Sequence, residues 1–177
     1  KVDDATAKYL ADHAITVASY KSVNDFLAKV KDDVVLLDPR STSDTTARCL
    51  YNAETIFRQS PVALMKACKN DTQIEGTRRA MERDGVALVK LYMWLEQNVP
   101  AGKVNEVDVA EKVIEFRSES PLYRGESFAM AAGYRGNGAI VHYEAEPATA
   151  ATVGVDGLLL VDTGAQYLDG TTDITRT

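Results

Sequence analysis

The stretch that decides the fold is LLLVDTGAQYLDGTTDITRT, residues 158–177. Residues 158–161 form an unbroken aliphatic run ending on Asp162, the pattern of a buried strand whose last residue reaches a cavity or an edge. Gly164 can bend the backbone just beyond it. Asp169-Gly170 is a hairpin dipeptide, and the β-branched TTDITRT after it predicts a returning antiparallel strand, so Asp162 and Asp173 fall on neighbouring strands. A two-residue turn at Asp169-Gly170 pairs Leu168 with Thr171 and sets Asp173 opposite Gln166. Asp162 then lies four residues further along the same face, roughly 13 Å away at about 3.3 Å per residue. For the two carboxylates to share one ion, the loop must be wider than the dipeptide suggests, or a bulge must re-register the strands.

Two buried carboxylates brought together repel unless a cation or a shared proton intervenes, so this placement asks for a metal or an acid/base pair. A solvated hairpin carrying two unrelated Asp is the competing reading. The wording of the segment goes further. VDTGAQYLDGTTDITRT closely resembles the metal-binding segment of the pita-bread metallopeptidases, and among them the Xaa-Pro aminopeptidases (aminopeptidase P), with the GTTD wording of the long three-domain members. The resemblance implies that Asp162, from the D-[ST]-G motif, and Asp173, from T-D-[IV]-T-R-T, are ligands of a two-metal centre. Asp162 would anchor one ion and Asp173 would bridge both.

Composition sets bounds around this segment. The chain has 177 residues, 45% hydrophobic and 26% charged, which describes an ordinary folded domain or two small ones. A net charge of −6 with no long Lys/Arg run argues against a nucleic-acid partner. No stretch approaches eighteen consecutive apolar residues, so no membrane partner is expected. Cys49 and Cys68 lack CxxC spacing, which disfavours a disulfide framework or thiolate zinc and fits a reducing, cytoplasmic compartment. The opening KVDDATAKYL is not ordered like a signal peptide. With no initiator Met, the sequence is expected to begin inside a longer polypeptide, so a signal further upstream stays open.

Taken in order, residues 3–11 suggest a helix end and 14–20 a strand. Ser22 can cap a helix carrying Val23, Phe26, Leu27 and Val30 on one face. DVVLLDP predicts a buried strand stopped by Pro39, with a helix over 42–51 and a short strand over 55–57. Ser60-Pro61 marks a helix start leading into a much longer helical segment, and the domain boundary is placed near residue 62. From 71 to 97, Ile74, Met81, Val86, Leu88, Val89, Tyr92, Met93 and Leu95 recur at roughly helical spacing and are read as core. A second helix over 106–116 would bury Val107, Ala110, Val113 and Ile114. Strands are predicted over 128–132 and 139–143, with glycines between.

The expected fold is therefore α/β (α+β). In the terms of the resemblance, residues 1–62 correspond to the later part of a creatinase-like middle domain and 63–177 to the N-terminal half of a pita-bread catalytic domain. His142, inside the predicted strand 139–143, is by itself most simply a packed, hydrogen-bonded imidazole. NGAIVHY, however, resembles the family segment carrying a histidine beside the metals. That likeness implies a catalytic and substrate-binding role: donating a hydrogen bond to the substrate and steadying the tetrahedral oxyanion. His13 has no motif and is read as structural. Phe128 is a candidate pocket wall, with ordinary core as the alternative.

Carboxylates are hard donors suited to two divalent ions of the Mn(2+) type. The implied activity is release of the N-terminal residue from peptides with proline in second position, by an enzyme that is a homodimer when intact. Both histidines being accounted for, no other residue has ligand spacing. The resemblance implies that the remaining ligands, a His and two Glu, and much of the proline pocket come from a C-terminal segment after Thr177, so this portion alone is expected to be inactive. The alternatives are another pita-bread hydrolase, prolidase-like or creatinase-like, or a non-catalytic pita-bread module that binds peptides.

Overall fold

The computed structural model describes residues 2–177, which divide into two compact units between Cys68 and Lys69. In the first unit, Asp3 caps α1 (Asp4–Asp12), its carboxylate accepting the Thr6 amide at 2.8 Å. The segment 14–20 is not a strand but irregular chain running into a 3₁₀ turn, Tyr20–Ser22. Ile15, Val17 and Tyr20 are all exposed, so there is no buried face for alternation to serve. Ser22 does precede a helix, α2 (Val23–Leu27), but makes no side-chain cap bond, and Val23 and Phe26 face solvent. Strands β1 (Val34–Leu37) and β2 (Glu54–Phe57) pair in parallel. The crossover that a parallel pair requires contains α3 (Asp44–Cys49).

The Asp38 carboxylate accepts the amides of Ser60 at 2.9 Å and Arg40 at 3.0 Å, which holds its pKa below the ordinary value and ties the end of β1 to the start of α4 (Pro61–Ala67). Pro61 begins that helix, as its position predicts. The helix does not run on into the next one: Cys68 is extended, and Asn70 opens a separate helix. The compact units thus divide between 68 and 69, where the sequence reading sets the boundary at 62.

In the second unit, Asn70 caps α5 (Asp71–Asn98) reciprocally. It accepts the Gln73 amide at 2.9 Å while the Gln73 side chain accepts its own amide at 3.0 Å. The buried stripe of α5 is not the one hydropathy suggests. Ile74, Met81, Val86, Val89 and Met93 are exposed, and the covered positions are Gly76, Ala80, Asp84, Ala87, Leu88 and Leu91. The reason is close approach: a Cβ on Gly76 would lie 2.2 Å from the Asp169 carbonyl oxygen, and one on Gly170 would lie 2.9 Å from Ala80 Cβ. Small residues mark this contact.

Helix α6 (Glu106–Ser118) is capped by Asn105, which accepts the amides of Val107 at 2.8 Å and Asp108 at 3.0 Å. Its stripe is likewise rotated from the expected one. Val113 is buried as predicted, but its companions are Glu106, Val109 and Arg117, while Ile114 is exposed. Leu88, Leu91, Val109, Val113, Val153 and Val161 belong to one core cluster, each such side chain contributing roughly 1.5–3 kcal/mol.

Two three-stranded antiparallel sheets complete the unit. One is built from β3 (Tyr123–Glu126), β6 (Ala165–Tyr167) and β7 (Gly170–Thr171), in the order β3-β6-β7. The other comprises β4 (Ala131–Tyr134), β5 (Leu159–Thr163) and β8 (Ile174–Arg176), in the order β4-β5-β8. The strand predicted over 139–143 does not form. A 3₁₀ segment, Arg135–Ala139, and a turn stand there instead, because the glycine-rich chain folds back on β4: a Cβ on Gly133 would lie 2.6 Å from Gly138 Cα.

The hairpin register differs from the predicted one by a single step at the turn. Gln166 pairs with Thr171 and Tyr167 with Gly170, so the turn residues are Leu168 and Asp169. Asp169 is gripped there by both terminal nitrogens of Arg83, at 3.0 and 3.1 Å. The same register continues beyond Gly164, with Thr163 opposite Ile174 and Asp162 opposite Thr175. Neither a wider loop nor a bulge is needed: moving the turn back one residue shifts the pairing by two and brings the Asp positions together.

Candidate metal centre

Asp162 lies in β5 opposite Thr175, whose hydroxyl donates to its Oδ1 at 2.7 Å. Asp173 stands just before β8, two positions from Thr175, a diagonal relation that separates same-face residues of antiparallel strands by about 7–8 Å. Asp162 is half-buried and Asp173 exposed. Both line one cavity of about 400 Å³, together with Phe128, His142, Tyr143 and Glu144. All three residues singled out from the sequence, Asp162, Asp173 and His142, thus border the same space. His142 reaches it from an exposed turn with φ 55°, not from a strand, and the loop that follows delivers Tyr143 and Glu144 beside it. His13 closes α1, its Nδ1 2.7 Å from the Tyr9 carbonyl oxygen.

Two buried polar clusters that the sequence reading missed hold these segments. Glu106, fully buried at the start of α6, accepts the amide of Tyr134 at 2.6 Å and of Ala151 at 2.8 Å, the Tyr143 hydroxyl at 2.7 Å, and the Asn137 side-chain amide at 3.0 Å. Its carboxylate therefore binds both ends of the loop that carries His142. Burial works against its ionisation, but the two amides, then Tyr143 and Asn137, outweigh it and hold its pKa below the ordinary value. The Tyr143 hydroxyl, desolvated and bonded to this carboxylate, is pushed up to about 12 and stays a donor.

The second cluster lies on the helix side of the hairpin. Arg117 pairs with Asp84 through two hydrogen bonds, Nε to Oδ1 at 2.7 Å and Nη2 to Oδ2 at 3.0 Å, both side chains fully excluded from solvent. Arg117 Nη1 also donates to Glu126 at 2.6 Å and to the Thr163 hydroxyl at 2.8 Å. Asp84 accepts the hydroxyls of Thr172 at 2.8 Å and Tyr167 at 3.0 Å. Burial and the Asp84 charge push the Tyr167 phenol well above its usual range. The available signal for both clusters was a charged residue at a position where the helix stripe should be apolar: Asp84 in α5, Glu106 and Arg117 in α6.

The donor set fits a hard divalent ion in part. Two carboxylates face one solvent-open cavity, but among the described residues no group of three or more His, Cys, Asp or Glu is arranged to hold a metal. Two carboxylates are fewer oxygen donors than a hard divalent ion takes.

Residues 75–177 match the model of metallopeptidase family M24, and residues 1–73 match that of the creatinase/prolidase N-terminal domain. The chain belongs to metallopeptidase family M24, and its mixed helix-and-sheet second unit is part of the pita-bread catalytic fold. Among its relatives, the Laccaria bicolor protein named Probable Xaa-Pro aminopeptidase P is 40% identical over 98% of this chain, which covers 28% of that protein. Xaa-Pro aminopeptidase 1 of Dictyostelium discoideum is 37% identical over 100% of the chain, which covers 29% of it. The X-prolyl aminopeptidase of Caenorhabditis elegans, described as a cytosolic enzyme with a di-nuclear active site, superposes with a TM-score of 0.88 at 27% identity. That match covers 99% of this chain and 30% of that one. The chain thus spans less than a third of the length of these relatives.

Proposed function

We propose that this chain forms one wall of the two-metal centre of an Xaa-Pro aminopeptidase, which releases the N-terminal residue from peptides with proline in second position. The observation that carries this reading is the convergence of Asp162, Asp173 and His142 on one cavity, in a chain whose relatives bear that name. Asp162 would hold one ion, and Asp173, the more exposed of the two, would bridge both. Two divalent ions, Mn(2+) by the hardness of the donors, would polarise the scissile carbonyl and lower the pKa of an attacking water.

The rest is done by the protein. Thr175 fixes the Asp162 carboxylate through its 2.7 Å hydrogen bond, leaving the other oxygen for the ion. His142 would donate to the oxygen on which charge develops when the carbonyl becomes tetrahedral. Phe128 walls the cavity beside the carboxylates, where it can limit the width available to a substrate side chain. The remaining donors come from polypeptide outside these residues. The di-nuclear site and cytosolic setting of the Caenorhabditis elegans enzyme support two ions and a cytoplasmic location here, and the intact enzyme is proposed to be a homodimer.

The test is Asp173→Ala in the full-length protein. Metal content should fall, and hydrolysis of an Xaa-Pro tripeptide should drop by orders of magnitude; near-normal turnover would refute the assignment. Activity on a tripeptide but not on an Xaa-Pro dipeptide separates this reading from a prolidase.

A further inference from the structure

We propose that the buried Asp84–Arg117 pair is a positioning element that sets the separation of Asp162 and Asp173 through the threonines next to them in sequence. The proposal rests on the metal-centre reading and adds to it the residues that hold the carboxylates in place.

Thr163 follows Asp162 and Thr172 precedes Asp173, so alternation along an extended chain turns each threonine away from the face its neighbour presents. The carboxylates line the cavity and the threonine hydroxyls meet the ion pair. Arg117 Nη1 donates to Thr163 Oγ1 at 2.8 Å, and Thr172 Oγ1 donates to Asp84 Oδ2 at 2.8 Å. A single two-pronged ion pair therefore grips both strands at the step where they leave one sheet for the other, β5 to β6 and β7 to β8. The grip is reinforced on both sides. Arg117 also donates to the Gly164 carbonyl at 3.2 Å, and Thr172 exchanges two bonds with Ala165, at 2.9 Å each.

Stability is a poor explanation for this arrangement. Both charges are fully excluded from solvent, and hydrophobic groups of equal volume in place of a buried ion pair often leave a protein as stable or more so. What apolar packing could not supply is direction. Each bond has a fixed donor and acceptor, so the two hydroxyls, and with them the carboxylates one residue away, are held in one relative placement. A bridging carboxylate is sensitive to such placement, because two ions held about 3.5–4 Å apart tolerate little drift in the oxygens between them.

The test uses Thr163→Val and Thr172→Val in the full-length protein, which keep the β-branched shape and delete only the hydroxyl, with Thr172→Ser restoring it. Removing an outer contact to a metal ligand typically lowers affinity 10–100-fold; these hydroxyls act on the ligands through one peptide unit and not by contact, so a fall at the lower end of that range, about tenfold, is expected. Calorimetric titration with Mn(2+) should show the weaker of two sites falling by that factor in the valine variants. The dipolar-coupled Mn–Mn signal in electron paramagnetic resonance of the loaded protein should shift or vanish, with Thr172→Ser recovering both. A purely structural role would lower the melting temperature without changing that signal in the folded, loaded molecules, and that result overturns the proposal. Asp173→Asn separates the two levels: if it abolishes the second site while both valine variants bind as wild type, the metal-centre reading stands and this proposal falls. If Asp173→Asn keeps both ions with unaltered coupling, both fall.

Discussion

Replacing Glu106 by Ala removes a buried carboxylate that serves four donors, two of them the backbone amides of Tyr134 and Ala151. The Asn137 amide and the Tyr143 hydroxyl lie in the half-exposed loop and can turn to water; the two backbone groups cannot move independently of their segments. A hydrogen bond to a charged acceptor contributes about 1.5–3 kcal/mol, so each amide should lose protection against hydrogen exchange by about 10–100-fold, at about 1.4 kcal/mol per decade. Exchange measured by NMR on the full chain should show this at Tyr134 and Ala151, while the Ala165 amide, bonded to Thr172 in the other sheet, keeps its wild-type rate. Glu106→Gln should lie between, because it keeps an acceptor but turns an NH₂ group toward other donors. Protection at both amides within threefold of wild type would refute the idea that this carboxylate anchors the loop carrying His142.

The remaining expectations follow from the same contacts. Glu106 has a pKa depressed below its ordinary 4.5, so its contribution to stability is fully present above that pH and is lost as the pH falls through the folded value. Acid unfolding of Glu106→Gln should accordingly show a flatter limb below about pH 4.5 than wild type. A Cβ at residue 164 would lie 2.2 Å from the Thr172 carbonyl oxygen and 2.3 Å from Ser127 Oγ, so Gly164→Ala should cost about 1–3 kcal/mol and lower the melting temperature seen by calorimetry. Asn70→Ala deletes one arm of the reciprocal cap on α5 and should cost about 1 kcal/mol, visible as faster exchange in the first turn of that helix.

The long helices were legible from the helical recurrence of their apolar residues; what holds their ends is seen only in the structure, where Asn70 and Asn105 cap them and Gly102 takes the left-handed conformation between them. Their facing was not. In the first half of α5 the covered residues are Gly76, Ala80 and Asp84, small at 76 and 80 because the hairpin backbone passes close there; Leu88 and Leu91 are covered further along, while Val86, Val89 and Met93 look outward. Hydropathy measures what a side chain prefers and says nothing of how near the neighbouring backbone comes. The stretch 139–143 failed for a related reason: Ile140 and Val141 read as strand, yet both are exposed in a segment folded back through glycines.

The wording of DTG and TTD singled out Asp162 and Asp173, which do line one cavity, but their geometry hung on where the turn falls. Asp169-Gly170 has the composition of a hairpin corner, and local preference would place it there. Two tertiary contacts override it: Arg83 takes the Asp169 carboxylate, and Gly170 is the residue that lets the strand lie against Ala80 and Thr77 of α5. Gly170 is therefore spent on close packing, the corner retreats to Leu168-Asp169, and every pair beyond it moves by two. That displacement brings Asp162 opposite Thr175 and within diagonal reach of Asp173. The helix that hides its small residues against the hairpin thereby also sets the register on which the convergence of the two carboxylates depends.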